Sequence, residues 1–520
     1  MEQILSITIG LLLAECLCFA ADTKPDPVRI KVGKTTTFID GPLLADGTVD
    51  YITALDQIAS QNADPQNNAA VVLVQALGPD LIPEGMVKRA SKKLGCEPPE
   101  VGGNYFVSLQ NWLVANKHKD EKKILDQFKK LKTTPWKSTE HPVLAKWLSS
   151  NQVQLETVAI ATSRPNYYMP MLVEDGEDRS VISIMLPALH HYREVARTLA
   201  VRAMLHFGEG RYEQAAADCI TIHRLGRLMG QEPILITQLV SFVIENTAND
   251  AIVVMATSNK LPVKTASALI GDIESLPETF TVRRTVNLSE RFMALDSTML
   301  VHRRGEEAVK ALGFNLGKNG PKGKQITQTF DPNVALVKLN GLYNQLDAIA
   351  RFKTWSEKKD AWVEFESELM GNSRKVQTQV KQKEFWERFN KANATEQRRI
   401  MSNLIGDILA ALVLPALIRT FETELACHTT TQLTSVALAL SIHHQRNGKY
   451  PAKLDELKGL IKIPVDPFSQ KPIRYLVGES SYVVYSVGPN MKDDNGTVTP
   501  SQRNLDVVIP KPNLDSVGDL

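Results

Sequence analysis

The chain has little cysteine, no excess of either charge and no catalytic signature. It contains five cysteines, and the three beyond the N-terminal segment, Cys96, Cys219 and Cys427, are widely spaced with no Cys-x-x-Cys pair. They predict neither a disulfide framework nor a zinc site. Lys and Arg total 60 against 58 Asp and Glu, a net charge of +2, so nothing in the overall charge indicates a nucleic-acid partner.

Catalytic and nucleotide-binding motifs are also missing. The sequence has no His-Glu-x-x-His, no Gly-x-Ser-x-Gly and no dinucleotide fingerprint after a strand. Residues 317–324 are rich in Gly and Lys, but their spacing is one residue off that of a phosphate loop, and Gln325 stands where Ser or Thr would bind the metal. We interpret residues 313–329 as a basic Gly-rich linker. A site assembled from distant residues is not visible in a sequence.

Two histidine–carboxylate pairs have the spacing of metal ligands on a helix. His190 and Glu194 lie one helical turn apart, and so do Glu424 and His428. Two ligands do not make a metal site, and helices place such pairs by chance.

The N-terminus predicts export. Residues 4–13 are an apolar run of signal-peptide length, too short to span a bilayer, and Ala20 and Ala21 provide a small-residue cleavage site. Against this, the first residues contain Glu2 and no Lys or Arg. We predict a signal peptide at residues 1–20, with lipidation at Cys16 as an alternative, and therefore a periplasmic, extracellular or cell-envelope location.

Most of the chain predicts helices. We expect a mostly helical region at 21–165, a central helical domain at 181–312, the linker, and a charged helical segment at 330–400. Within the central domain, residues 198–227 resemble the helical hairpin of a tetratricopeptide repeat, but no second copy follows, which favours a hairpin in a bundle. Aromatic and aliphatic residues at helical spacing predict one packing face in the charged segment: Trp355, Trp362, Phe365 and Leu369.

The C-terminal quarter changes pattern. An apolar run at 408–417 continues into a helix whose apolar stripe is Leu433, Val436, Ala437 and Leu440. Gly448 predicts the end of that helix. Alternation at 473–477 and 482–487, with a turn between, predicts two antiparallel strands. The fold class is therefore mainly α, with a C-terminal α+β module at 401–510 carrying a small antiparallel sheet, and a short tail at 511–520.

The order of these features resembles the major pseudopilin of type II secretion. The resemblance rests on the apolar run at 408–417, Asn-Gly-Lys-Tyr-Pro at 447–451, Asp-Pro-Phe at 466–468 and the stretch at 485–496. It implies a pseudopilin-like module and partners among envelope or secretion-related proteins. About 11 apolar residues cannot span a bilayer of about 30 Å, so we expect no full transmembrane span in the mature chain, only peripheral membrane contact near 408–418. The whole layout also resembles large exported bacterial proteins without an assigned activity.

In secretion-type pseudopilins the equivalent of loop 488–506 binds calcium, and the resemblance implies the same here. Asp493, Asp494, Asn495 and Asp506 offer the hard oxygen ligands that calcium prefers. The alternative is a solvated turn rich in Asp, Asn and Gly. We expect no other cofactor.

Two function classes follow. The first is a non-enzymatic interaction or structural component of the cell envelope, with helical hairpins and the Trp/Phe stripe as docking surfaces. The second is a hydrolase with a dispersed site in the helical body around His190 and Glu194. A cleft joining these two residues to a third acid or histidine would favour the enzyme, and an exposed apolar groove without titratable clusters would favour the interaction protein.

Overall fold

A computed structural model describes residues 28–174, 179–314, 316–322, 324–497 and 506–510. The predicted signal peptide and the tail at 511–520 lie outside these residues. The described chain is mostly helical, with one small antiparallel sheet near its C-terminus, which confirms the predicted fold class.

The first eleven helices form the N-terminal and central parts. They are α1 Tyr51–Ser60, α2 Ala69–Leu77, α3 Val87–Leu94, α4 Leu109–Ala115, α5 Glu121–Leu131, α6 Pro142–Ser150, α7 Gln152–Ala161, α8 Ala188–Gly208, α9 Tyr212–Met229, α10 Leu235–Thr257 and α11 Val263–Glu274. Short 3-10 turns occur at Pro79–Leu81 and Val181–Ser183. Helices α8 and α9 form the predicted hairpin, and Gly210 adopts a positive φ of 77° in the turn between them.

The remaining helices lead into the sheet. They are α12 Val282–Thr285, continued by a π-turn at Val286–Glu290, then α13 Arg291–Arg304, α14 Glu306–Ala311, α15 Lys324–Thr329, α16 Pro332–Ala350, α17 Trp355–Gln379, α18 Lys383–Lys391 and α19 Ala394–Asn447. A 3-10 turn follows at Leu454–Leu457, and then the strands β1 Arg474–Val477, β2 Tyr482–Ser486 and β3 Val507–Ile509.

Helix α19 is the longest element of the described chain, with 54 residues. The side chain of Asn393 accepts a hydrogen bond from the backbone N–H of Glu396 and caps the start of the helix. Gly448, at φ 72°, ends the helix in the left-handed conformation, as the sequence predicts. At about 1.5 Å per residue, the helix is about 80 Å long and reaches across much of the protein.

Three hydrophobic cores hold the helices together, and the long helices pass from one to the next. Core 1 contains α1, α12–α18 and the first part of α19, including Met401, Leu409 and Leu417. Core 2 joins α4–α6 and parts of α8–α11 to the second part of α19 and to the inner face of the sheet. Core 3 contains α2, α3, α7 and the facing parts of α8–α10. The cores therefore cross the domain boundaries predicted from sequence.

The sheet has the order β1-β2-β3 and is antiparallel throughout. Arg474 pairs with Tyr485 between β1 and β2, and Val484 pairs with Ile509 between β2 and β3. The buried carboxylate of Asp466 accepts hydrogen bonds from the Ser486 hydroxyl at 2.9 Å and the Val487 N–H at 3.0 Å. Asp466 therefore ties the loop before the sheet to the end of β2, which is a structural reason for the Asp-Pro-Phe sequence.

One described helix, Leu235–Thr257, is long and apolar enough to cross a membrane by length and composition alone. Its most apolar window is 61% buried inside the protein. A helix at the centre of a protein core has the same length and composition.

Candidate functional sites: a polar cleft and an exposed strand edge

A cleft of about 550 Å³ opens between α5 and the start of α8. The α8 side of the cleft is formed by His190, His191, Glu194 and Arg197, which recur every three or four residues and so share one face of the helix. This face is only partly buried, because no other helix packs fully over it. The cleft joins the predicted pair His190 and Glu194 to a second histidine and to Asp80.

The acid–base groups of the cleft lie in different surroundings. His190 Nε2 is 3.9 Å from Glu194 Oε2, and the histidine side chain is 80% exposed. Burial raises the pKa of Glu194, although His190 and Arg197 oppose the rise. Burial lowers the pKa of His191, and the nearby Asp80 carboxylate opposes that change. Glu194 therefore takes up a proton more readily than an ordinary glutamate, and His191 less readily than an ordinary histidine.

Cations line the opposite part of the cleft. Lys129, on α5, pairs with Asp126 at 2.9 Å. Lys132 and Arg197 have no carboxylate within 4.0 Å among the residues that the structure describes. Burial lowers the pKa of Lys132, and the positive charge of Arg197 lowers it further. The Asp250 carboxylate opposes this fall in the pKa of Lys132, and Glu194 attracts Arg197, so the two cations face the same space with carboxylates nearby but no ion pair within 4.0 Å among the described residues.

The described residues do not offer a nucleophile activated by a base. The thiols of Cys219 and Cys427 are buried, and burial raises the pKa of both, so neither is a reactive thiolate at neutral pH. In the same ranges, no hydroxyl group donates a hydrogen bond to a histidine, and no three His, Cys, Asp or Glu side chains are placed to hold a metal ion. Any hydrolysis in the cleft would depend on water activated by Glu194 or a histidine.

The four residues predicted to bind calcium lie at the base of loop 488–506, of which 498–505 are outside the described residues. Asp493 Oδ1 accepts hydrogen bonds from the Tyr485 hydroxyl at 2.9 Å and the Asn495 N–H at 3.1 Å. Asp506 accepts from the Gly496 N–H at 2.7 Å, and Asp494 accepts from the Asn490 side chain at 2.8 Å. Each of the three carboxylates is therefore already bonded within the loop or to β2, and among the described residues they do not form a group placed to hold a metal ion.

The charges of this loop are partly balanced, because Arg474 Nε lies 3.3 Å from Asp493 Oδ2. Burial raises the pKa of Asp506, and the charges of Asp494 and Asp493 add to the rise. Like charges at short range favour a proton or a metal ion between them. Calcium binding by this loop stays a prediction.

The second predicted pair, Glu424 and His428, is half-buried on α19. Glu424 Oε1 accepts a hydrogen bond from the Val282 N–H at 2.8 Å and so caps the start of α12. Burial lowers the pKa of His428 to about 4, with Arg227 contributing, so the imidazole is neutral at physiological pH. Both side chains are placed partly in the protein interior.

A buried polar cluster beside His428 was not predicted from the sequence. Glu245, which is fully buried on α10, forms an ion pair with Arg227 of α9 at 2.7 Å, and His223 Nδ1 lies 3.9 Å from the same carboxylate. Asn249 donates a hydrogen bond to the Thr431 hydroxyl of α19 at 3.1 Å. The cluster draws on three helices, with about 200 residues between its ends, so no local pattern could indicate it.

The predicted Trp/Phe stripe is in the interior. Trp355, Trp362, Phe365 and Leu369 are all buried in core 1. Trp355 Nε1 donates a hydrogen bond to the Pro489 carbonyl at 3.1 Å, and Lys359 Nζ donates to the Asn490 carbonyl at 3.1 Å. The prediction of a packing face is confirmed, and the prediction that this stripe supplies a docking surface is wrong because the C-terminal module and α19 already cover it.

An exposed apolar edge exists instead on the sheet. Strand β1 pairs with β2 on one side, and no segment among the described residues pairs with its other side. Leu476 is 50% exposed and Val477 is 41% exposed, and Val465, just before the sheet, is 56% exposed. Titratable residues lie nearby, because Arg474 and Tyr475 precede Leu476 on the same strand and Tyr482 is the cross-strand partner of Val477. We call Val465, Leu476 and Val477 the β1 edge.

Comparison with protein-family models, with curated proteins and with solved structures gave no match for this chain.

Proposed function

We propose that the protein is a non-enzymatic component of the cell envelope, reached by export, which binds another protein through the β1 edge of its C-terminal module. The observation that carries this proposal is the unpaired edge of β1 with Leu476 and Val477 exposed. Sheets normally protect such edges, because a row of free N–H and C=O groups readily accepts a strand from another chain. A partner strand would gain main-chain hydrogen bonds from β1 and bury its apolar side chains.

Other features support the same proposal. The predicted signal peptide provides the route of export, and the pseudopilin-like order of features in residues 401–510 points to envelope or secretion-related proteins as partners. A long helix followed by an antiparallel sheet agrees with that resemblance. Five apolar side chains of residues 408–417 are buried in core 1, namely Ile408, Leu409, Ala410, Leu414 and Leu417, so the proposal relies on a protein partner rather than on membrane contact.

Crosslinking tests the proposal. The tagged full-length chain would be crosslinked gently in intact cells, purified and examined by mass spectrometry, in three forms: wild type, Leu476→Lys and Val153→Lys. Val153 is a matched control because it is 64% exposed on α7, far along the chain from the sheet. We expect envelope proteins with the wild type and with the Val153 variant, and their loss with Leu476→Lys, because a charge on a strand edge blocks pairing.

Two results would contradict the proposal. One is recovery of the chain alone in all three forms. The other is an unchanged set of partners when Leu476 carries a charge, provided that the circular dichroism spectrum and melting temperature of the variant match those of the wild type.

The cleft supports a second candidate function, a hydrolase. It joins His190 and Glu194 to His191 and Asp80, as a dispersed acid–base site would require. In such a reaction Glu194 takes a proton from water, and the hydroxide attacks the substrate carbonyl or phosphorus. The bond to the leaving group breaks, and a protonated His190 returns a proton to that group. We place this function second because the cleft provides no activated nucleophile and no metal ligand set among the described residues.

A panel of chromogenic carboxylic and phosphate esters tests the hydrolase. Glu194→Gln should reduce any turnover at least about 100-fold, the lower range for loss of a general base. Glu156→Gln, an exposed glutamate on α7, should leave it unchanged. Equal rates for wild type and Glu194→Gln would remove the cleft as the active site.

A further inference from the structure

We infer that the cleft between α5 and α8 binds a small organic anion, with its carboxylate or phosphate held by Lys132 and Arg197 and its apolar part packed against Phe106 and Phe128. This inference goes beyond the proposed function, since it concerns a different surface from the β1 edge. It concerns binding alone and does not depend on turnover.

The two cations provide the anion site. Lys132 is at the C-terminal end of α5, and Arg197 is on the face of α8 opposite it, so the charges come from two different elements. Each is partly buried, and their mutual repulsion contributes to the lowered pKa of Lys132. An anion between them would remove the repulsion and accept charge-assisted hydrogen bonds from both, which are about twice as strong as neutral ones.

The carboxylates near this pair offset its charge only in part, because Asp250 attracts Lys132 without an ion pair within 4.0 Å among the described residues. Asp80 acts on His191, and Glu194 lies 3.9 Å from His190. Glu194 also attracts Arg197, but the two form no ion pair within 4.0 Å. The remaining lysine, Lys129, already has Asp126 as its partner. Negative charge on a ligand is therefore favoured at Lys132 and Arg197 rather than elsewhere in the cleft.

Aromatic rings form the apolar wall. Phe106 and Phe128 both line the cleft and are only partly buried. Each packs edge-on against the buried Trp147, with ring centroids 6.4 Å and 5.6 Å away. This support holds the two rings in place and reduces the entropy that a ligand must overcome on binding. The volume of about 550 Å³ lies within the range of small-molecule sites.

Calorimetry with three simple probes tests the inference on the full chain. The probes are phenyl phosphate, phenylacetate and benzyl alcohol, which share a ring and differ in charge. We expect saturable one-to-one binding of at least one anion, and binding of the neutral alcohol that is at least about 10-fold weaker, the loss of one charged hydrogen bond. The tighter of the two anions identifies phosphate or carboxylate as the preferred group.

Substitutions then locate the site. Lys132→Gln and Arg197→Gln should each weaken anion binding at least about 10-fold. Lys122→Gln removes a charge from an exposed position on the same helix and should change the affinity less than about twofold. Three outcomes would overturn the inference: no saturable binding of either anion at millimolar concentration, equal affinity for anion and alcohol, or unchanged affinity in both cleft variants. The first two need only the wild type, so the test stands even if a variant misfolds.

Discussion

The buried ion pair of Arg227 and Glu245 gives a stability prediction whose sign depends on pH. Burial raises the pKa of Glu245 to about 7, although the positive charge of Arg227, 2.7 Å away, opposes the rise. Because the unfolded value is near 4.5, the folded protein holds this proton more tightly. The stability contributed by the bound proton is complete below pH 4.5 and is lost as the pH rises through 7. For a shift of about 2.5 units, the loss is about 3 kcal/mol.

Replacing Arg227 with methionine should increase that loss. Without the guanidinium, the pKa of Glu245 rises further. At pH 8.5 the folded protein must then either bury an unpaired Glu245 carboxylate or keep Glu245 protonated in a solution that favours its deprotonation. Removing one partner of a buried pair costs about 3–5 kcal/mol. At pH 5 Glu245 is protonated with or without Arg227, so the cost should fall to about 1 kcal/mol, that of one neutral hydrogen bond.

Urea unfolding followed by circular dichroism at pH 5 and pH 8.5 measures this difference. Arg224→Met is the matched control, because Arg224 lies on the same helix and is also partly buried, and it should show no pH-dependent cost. The double variant Arg227→Met with Glu245→Gln should regain most of the loss at pH 8.5, since no buried charge remains. An equal cost of Arg227→Met at both pH values, or a failure of the double variant to recover, would refute the reasoning.

Three further predictions concern stability and the calcium loop. Gly208→Ala should destabilise the protein by about 1–3 kcal/mol, because the added Cβ would clash with the backbone oxygen of Trp136. A Cβ at Gly271 meets nothing within 4 Å, so Gly271→Ala should stabilise α11 by up to about 1 kcal/mol, and thermal melting compares the two variants. Asp466→Ala should lower the free energy of unfolding by about 2–4 kcal/mol, because it leaves buried donors at the end of β2 unpaired. Asp455→Ala, at an exposed position, should lower it by under about 0.5 kcal/mol in the same urea titration. Millimolar calcium should raise the melting temperature of the wild type and not of Asp494→Asn; identical melting with calcium and with chelator would reject the site.

Local elements were predictable because their signals are local. The helical hairpin predicted at residues 198–227 lies in α8 and α9. Gly448 ended the long helix as expected, since glycine enters the left-handed conformation with little strain. The strand pair was also found, although β1 begins one residue later and β2 ends one residue earlier than the pattern indicated.

What depends on pairing between distant helices was not predictable. The spacing of His190 and Glu194 marked one wall of the cleft, but nothing in the sequence shows that Lys132 comes to face Arg197 across it. The buried partners Arg227 and Glu245 read as ordinary charged residues in apolar helices. The Trp/Phe stripe showed that one face of α17 packs against something, but its sequence could not tell an internal neighbour from an external one.

Helix α19 determines whether the chain could be cut into separate folded fragments and how it would respond to a mechanical force. Its first part closes core 1 and its second part closes core 2, which also contains the walls of the cleft and the inner face of the sheet. A cut at the start of the C-terminal module would leave two open hydrophobic surfaces instead of two separable pieces. A protein bound to the β1 edge would pull on a helix about 80 Å long that is packed into both cores. Tension applied at the sheet would therefore be shared by the whole helical body instead of being absorbed at a hinge.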